Sequence, residues 1–121
     1  MTKKIMVLED DEATAELIRF YLREEGYQVT VLSRGKNFAD KVVEYQPDLI
    51  TIDVLLPDAD GFSIFESLQR NELTRDIPVI FVTVVEGKKE KGIRMGARGY
   101  IIKPFRENEL KKAIESIMEE E

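Results

Sequence analysis

Five times along this chain a short apolar run is followed by an amphipathic stretch, and this alternation limits the possible folds more than any other feature. Ile5-Met6-Val7-Leu8, Leu49-Ile50-Thr51-Ile52 and Val79-Ile80-Phe81-Val82 are runs of the kind that strands covered on both faces require. Tyr27, Val29 and Val31 alternate with Gln28 and Thr30, as in a less deeply buried strand, and Tyr100-Ile101-Ile102 makes a short fifth. Between these runs apolar residues recur at helical spacing. Ala13, Leu17, Ile18, Tyr21 and Leu22 follow a capping Asp11 and stop at Gly26. Phe38, Val42 and Tyr45 precede Pro47, and Phe62, Phe65 and Leu68 form a third set. Leu110, Ala113, Ile114, Ile117 and Met118 form the cleanest stripe. The weakest helix is 86–96, punctuated by glycines, with Ile93 among its few apolar residues.

Strands alternating with helices read as a doubly wound α/β fold, (βα)5, with a parallel sheet, right-handed crossovers and helices on both faces. Such sheets bind ligands beyond the carboxyl ends of their strands. Four of the five strands end there on a residue able to do chemistry: Glu9-Asp10, Asp53, Thr83 and Lys103. Three carboxylates brought together repel and raise one another's pKa unless a cation sits among them. With no Cys and no His in the chain, a metal would need oxygen ligands, which points to magnesium or calcium. Magnesium suits the gap because it takes carboxylates, keeps waters and bridges to phosphate. An aspartate can also attack phosphorus, with Lys103 as a point charge and Thr83 as a hydroxyl donor to phosphoryl oxygens.

Charge and length narrow the function further. The 121 residues suit one domain, and 24 acids against 18 bases give a net charge of −6, the wrong sign for a nucleic-acid footprint. The longest uncharged stretch, Ile77 to Val85, is nine residues, far short of a membrane span. Lys3 and Lys4 precede too short an apolar run for a signal peptide, so the expected location is cytoplasmic. The closing Glu119-Glu120-Glu121 reads as a solvated tail.

The ordered set of these residues resembles the receiver domain of two-component response regulators, the CheY-like fold, over essentially the whole chain. The likeness rests on Glu9-Asp10-Asp11, on Asp53 with Pro57 and Asp60-Gly61 behind it, on Thr83, and on the segment from Gly96 to Phe105 around Lys103-Pro104. It implies a flavodoxin-like strand order of 2-1-3-4-5 and a single receiver domain over residues 1–121. It also implies a signalling domain rather than an enzyme, promoting at most its own phosphorylation and dephosphorylation. Asp53 is then the phosphorylation site, and Mg2+ is held by Glu9, Asp10, Asp53 and the main-chain carbonyl of Leu55. Thr83 and Lys103 bind phosphoryl oxygens, a cis bond joins Lys103 to Pro104, and Tyr100 is an aromatic that turns inward when the threonine moves. The implied partners are a sensor histidine kinase or a histidine phosphotransferase. The fourth helix, fifth strand and fifth helix form the readout face, whose partner or fused output domain the sequence does not name.

Two departures stand out. Val84 follows Thr83 where the family usually has a small residue, so it is expected to modify access to the pocket. The segment from Thr83 to Lys103 is slightly short, which bears on the fourth helix. Three other readings stay open: a receiver fold that binds partners without phosphorylation, a Mg2+-dependent phosphatase with an aspartate nucleophile, and a flavodoxin-like electron carrier. The phosphatase would want a second acid two positions beyond Asp53, where Leu55 stands. The carrier would need a phosphate loop where Glu9-Asp10-Asp11-Glu12 repels phosphate.

Overall fold

The structure is a computed structural model that describes residues 2–119; Met1 and the last two acids of the expected tail, Glu120 and Glu121, lie outside the described residues. In chain order the elements are β1 (Lys4–Leu8), α1 (Glu12–Glu24), β2 (Gln28–Leu32), α2 (Phe38–Tyr45), β3 (Leu49–Ile52), α3 (Gly61–Gln69), β4 (Val79–Thr83), α4 (Lys89–Met95), β5 (Gly99–Ile102) and α5 (Glu107–Glu119). All strand pairs are parallel and the sheet order is β2-β1-β3-β4-β5, the order that the resemblance implied.

The continuous apolar runs are explained by two cores, one on each face of the sheet. Successive side chains on a strand point to opposite faces. Met6, Leu8, Ile50, Ile52, Val79 and Phe81 therefore meet α2 and α3 through Phe38, Val42, Phe62, Phe65 and Leu68. Ile5, Val7, Leu49, Ile80, Val82 and Ile101 meet α1 and α5 through Ile18, Leu22, Leu110, Ile114 and Ile117. Phe81 is the centre of the first core, its ring 4.9 Å from that of Phe62, 5.5 Å from Phe65 and 5.9 Å from Tyr100.

The helix ends follow local chemistry. The Asp11 carboxylate accepts from the Thr14 N–H at 2.9 Å and starts α1, and Gly26, with φ of +89°, lies just past its end. Asp60 caps α3 by accepting from the Phe62 N–H at 2.8 Å. The glycine-interrupted segment yields only the seven-residue α4, beginning at Lys89 rather than 86. Gly92 on its buried side explains its survival. A Cβ there would come within 3.2 Å of both Phe81 and Tyr100, so glycine lets the short helix lie close on the sheet.

Candidate functional site

The carboxyl ends of four parallel strands deliver the site. Beyond β1, Glu9 is held by donation from its N–H to the Leu32 carbonyl at 2.9 Å, and Asp10 follows it at the surface. Beyond β3, the Asp53 N–H donates to the Leu8 carbonyl at 3.1 Å, which continues the β1–β3 ladder by one residue. Thr83 ends β4 fully buried, in register with Ile102 of β5. The Lys103 N–H donates to the Thr83 carbonyl at 2.8 Å, so the lysine leaves the sheet directly beside that threonine. The peptide bond from Lys103 to Pro104 is cis, as the resemblance implied.

These placements bring Glu9, Asp10, Asp53 and Lys103 together. The Lys103 Nζ lies 2.6 Å from Glu9 Oε1 and 2.9 Å from Asp53 Oδ2. The other Glu9 oxygen accepts from the Asp11 N–H at 3.1 Å, and the other Asp53 oxygen accepts from the Leu55 N–H at 3.1 Å. Glu9 and Asp53 are only 2% and 5% exposed, unusual for acids, and the shared lysine is what makes their burial tolerable. Burial pushes the Glu9 carboxyl above its ordinary pKa, outweighing the opposing pull of Lys103. For Lys103 the balance is reversed: burial lowers its pKa, but the combined attraction of Glu9 and Asp53 leaves it raised.

The donor set fits a hard divalent cation. Glu9, Asp10 and Asp53 each offer an oxygen, and these oxygens lie within 4.8 Å of one another. Lys103 touches two of the three carboxylates but offsets only one of their charges, and oxygen-only ligands favour magnesium or calcium over transition metals. The Leu55 side chain is exposed at 57%, while its N–H is tied back to Asp53.

Thr83 Oγ1 accepts from the Val85 N–H at 3.3 Å, and the Tyr100 hydroxyl donates to the Val85 carbonyl at 2.6 Å. Tyr100 is therefore turned inward, and burial followed by the nearby Asp53 charge raises its pKa. Val84, 56% exposed, does not plug the cleft. It stands on the rim of a hollow of about 320 Å³ lined by Thr14, Leu17, Val84, Lys103, Pro104 and Phe105. Gly61 closes the loop behind Asp53, where any Cβ would strike the Asp53 carbonyl oxygen and the Val54 Cα.

The sequence pattern brings Lys103 to the carboxylates as a charge for phosphoryl oxygens but does not disclose that Glu9 binds the lysine. A glutamate flanked by an apolar run and destined for burial is the signal that would have found it. Asp58 was also missed: its carboxylate accepts from the Gly35 and Lys36 N–H groups at 2.8 and 2.9 Å, across more than twenty positions.

The chain is similar to known proteins over nearly all of its length. The response regulator receiver domain family matches residues 5–115. The phosphate regulon transcriptional regulatory protein PhoB of Escherichia coli is 35% identical over 98% of this chain and 52% of its own length. The DNA-binding dual master transcriptional regulator RpaA of Synechocystis is 34% identical over 95% of this chain and 48% of its own. The chain thus spans about half the length of the curated relatives it matches. A crystal structure of a putative response regulator from Chloroflexus aurantiacus superposes with a TM-score of 0.92 at 28% identity, covering 98% of this chain and 99% of that one. The receiver domain of a sensor histidine kinase from Pseudomonas aeruginosa, solved with magnesium in its active-site cleft, gives 0.88 at 27% identity, covering 98% and 99%. With the strand order and a match over nearly its whole length in agreement, the chain belongs to the response regulator receiver domain family.

Proposed function

We propose that this chain is a phosphoacceptor receiver. On this reading Asp53 takes a phosphoryl group from a sensor histidine kinase or a histidine phosphotransferase, with Mg2+ held by Glu9, Asp10, Asp53 and the Leu55 main-chain carbonyl. One observation carries the reading: three carboxylates converge within 4.8 Å beside a lysine that already touches two of them. In the transfer an Asp53 oxygen attacks phosphorus. The new O–P bond forms as the N–P bond to the donor imidazole breaks, and the leaving nitrogen keeps the electron pair. Lys103 exchanges part of its contact with the Asp53 carboxylate for a phosphoryl oxygen, and the Thr83 hydroxyl turns from Val85 to donate to another. Bound Mg2+ would offset the charge gathered by the carboxylates and the incoming phosphoryl oxygens.

The hollow beside Lys103, with exposed Leu17 and Phe20 on α1, offers apolar surface where a donor protein would have to dock. Val84 lines that surface alongside Lys103, the partner of Asp53, and so modifies access from the rim. Movement of Thr83 would disturb Val85, and with it the Tyr100 hydrogen bond, passing the change to the face built by α4, β5 and α5.

The test is intact-mass measurement after incubation with Mg2+ and acetyl phosphate. One phosphoryl adduct that needs Mg2+ and is lost to hydroxylamine is expected, and Asp53→Asn abolishes it while the fold persists. Labelling of Asp53→Asn at the wild-type level would overturn the assignment. Neither adduct nor metal binding would favour a receiver-fold module that binds partners without phosphorylation.

A further inference from the structure

The loop after β3 carries both Asp53 and Leu55, and what holds that loop decides how well a main-chain carbonyl can serve a cation. Within the loop the Gly61 N–H donates to the Val54 carbonyl at 2.8 Å and the Leu56 N–H to the Ala59 carbonyl at 3.3 Å. A further tie, from the Leu55 N–H to Asp53 Oδ1, uses the carboxylate that a metal or phosphoryl group would claim. Asp58 supplies a tie that does not compete in this way. Its two oxygens accept from the Gly35 and Lys36 N–H groups of the β2–α2 turn. The turn fits closely: a Cβ at Gly35 would lie 2.7 Å from Ile64 Cδ1 and 2.8 Å from Ala59 Cβ. The Gly35 hydrogen bond above all holds the Asp58 carboxyl below its ordinary pKa, so the clasp stays ionised at neutral pH.

We propose that Asp58 is a positioning residue: by clasping the Gly35 and Lys36 amides it fixes the β3–α3 loop so that the Leu55 carbonyl is preset for a divalent cation at Glu9, Asp10 and Asp53. The inference rests on the metal-site reading above. A loop ordered before binding loses less conformational freedom when the ligand arrives, and removal of outer contacts weakens metal sites even when every direct ligand remains.

The experiment is Mg2+ titration of the full chain, followed by amide proton–nitrogen correlation spectra. Wild type is expected to bind saturably, with the Gly35 and Lys36 resonances moving alongside Leu55 although neither residue is a ligand. Asp58→Ala is expected to bind about tenfold more weakly, at the lower end of such outer-contact losses, with Gly35 and Lys36 no longer responding. Asp40→Asn makes a comparable charge change on α2 and should stay within about twofold, because an exposed charge is screened. If Asp58→Ala fails to fold, Asp58→Asn keeps one acceptor oxygen and should show a loss of about threefold, a fraction of the outer-contact effect. Equal Mg2+ affinity in the folded Asp58 variant and wild type would overturn the positioning role alone. Absence of saturable binding by wild type would overturn the metal site, and this role with it.

Discussion

At the scale of single residues, Glu9 and Lys103 give the site its electrostatic character. Buried ion pairs add little net stability once desolvation is counted, but they leave a pH signature. Glu9 has its pKa raised above 4.5 by burial, so the native state takes up a proton before the unfolded chain does. Stability from this group therefore increases as pH falls through its folded value towards 4.5. Asp11 and Asp58, lowered from 3.8 by hydrogen bonds, act in the opposite sense: they contribute stability above 3.8 that is lost as pH falls through their lower folded values. The two windows do not overlap. Urea midpoints in metal-free buffer should rise for wild type as pH is lowered from neutrality towards 4.5, and Glu9→Gln should flatten that slope. A flat wild-type profile would show that Lys103 fully compensates the buried carboxylate. The residues that strand ends bring together could be read from the sequence because each ends an apolar run. The sharing of Lys103 by Glu9 shows only in the place of a glutamate at the end of a buried run, and the Asp58 clasp leaves no such mark because it joins two loops brought together by tertiary packing.

At the scale of elements, close approach decides more than propensity. Alanine in a helix is ordinarily favoured over glycine by about 1 kcal/mol. At Gly61, the first residue of α3, a Cβ would strike main-chain atoms of Asp53 and Val54, which cannot swing aside as a side chain can. Overpacking of this kind costs about 1–3 kcal/mol and outweighs the propensity gain. Gly61→Ala should therefore lower unfolding free energy in urea by about 2 kcal/mol, whereas an unchanged midpoint would mean that the loop yields. Most elements were legible from periodicity because both faces of the sheet are covered. β2 runs from Gln28 to Leu32, one residue later than its own alternation suggests, since pairing with β1 sets its register. The α2 boundaries lie at Asn37 and Gln46, both in the left-handed region, which Asn adopts more readily than most residues but Gln does not announce. α4 ends at Gly96, in the left-handed region, as a glycine there allows, whereas its close seat on Phe81 and Tyr100 through Gly92 is a tertiary fact hidden from local sequence.

At the scale of the whole molecule, a chain of net charge −6 concentrates three carboxylates at one edge of its sheet, so a bound cation should stabilise the entire fold. A ligand that binds only the native state adds about 2.7 kcal/mol at one hundred times its dissociation constant. Thermal unfolding followed by circular dichroism should move upward by several degrees in saturating Mg2+. Asp10 is exposed, so Asp10→Asn should keep the metal-free midpoint and lose most of that shift. Equal shifts in both proteins would remove Asp10 from the metal site. The parallel arrangement has another result. Every charged group of the site lies at the carboxyl ends of the strands, while the connections 25–27, 46–48, 70–78 and 96–98 turn at the other end of the sheet. The molecule therefore has a working rim and a spare one. Inserted segments, altered loop lengths or rejoined chain breaks at the spare rim leave the site's spacing untouched, whereas the same edits at the working rim redraw it.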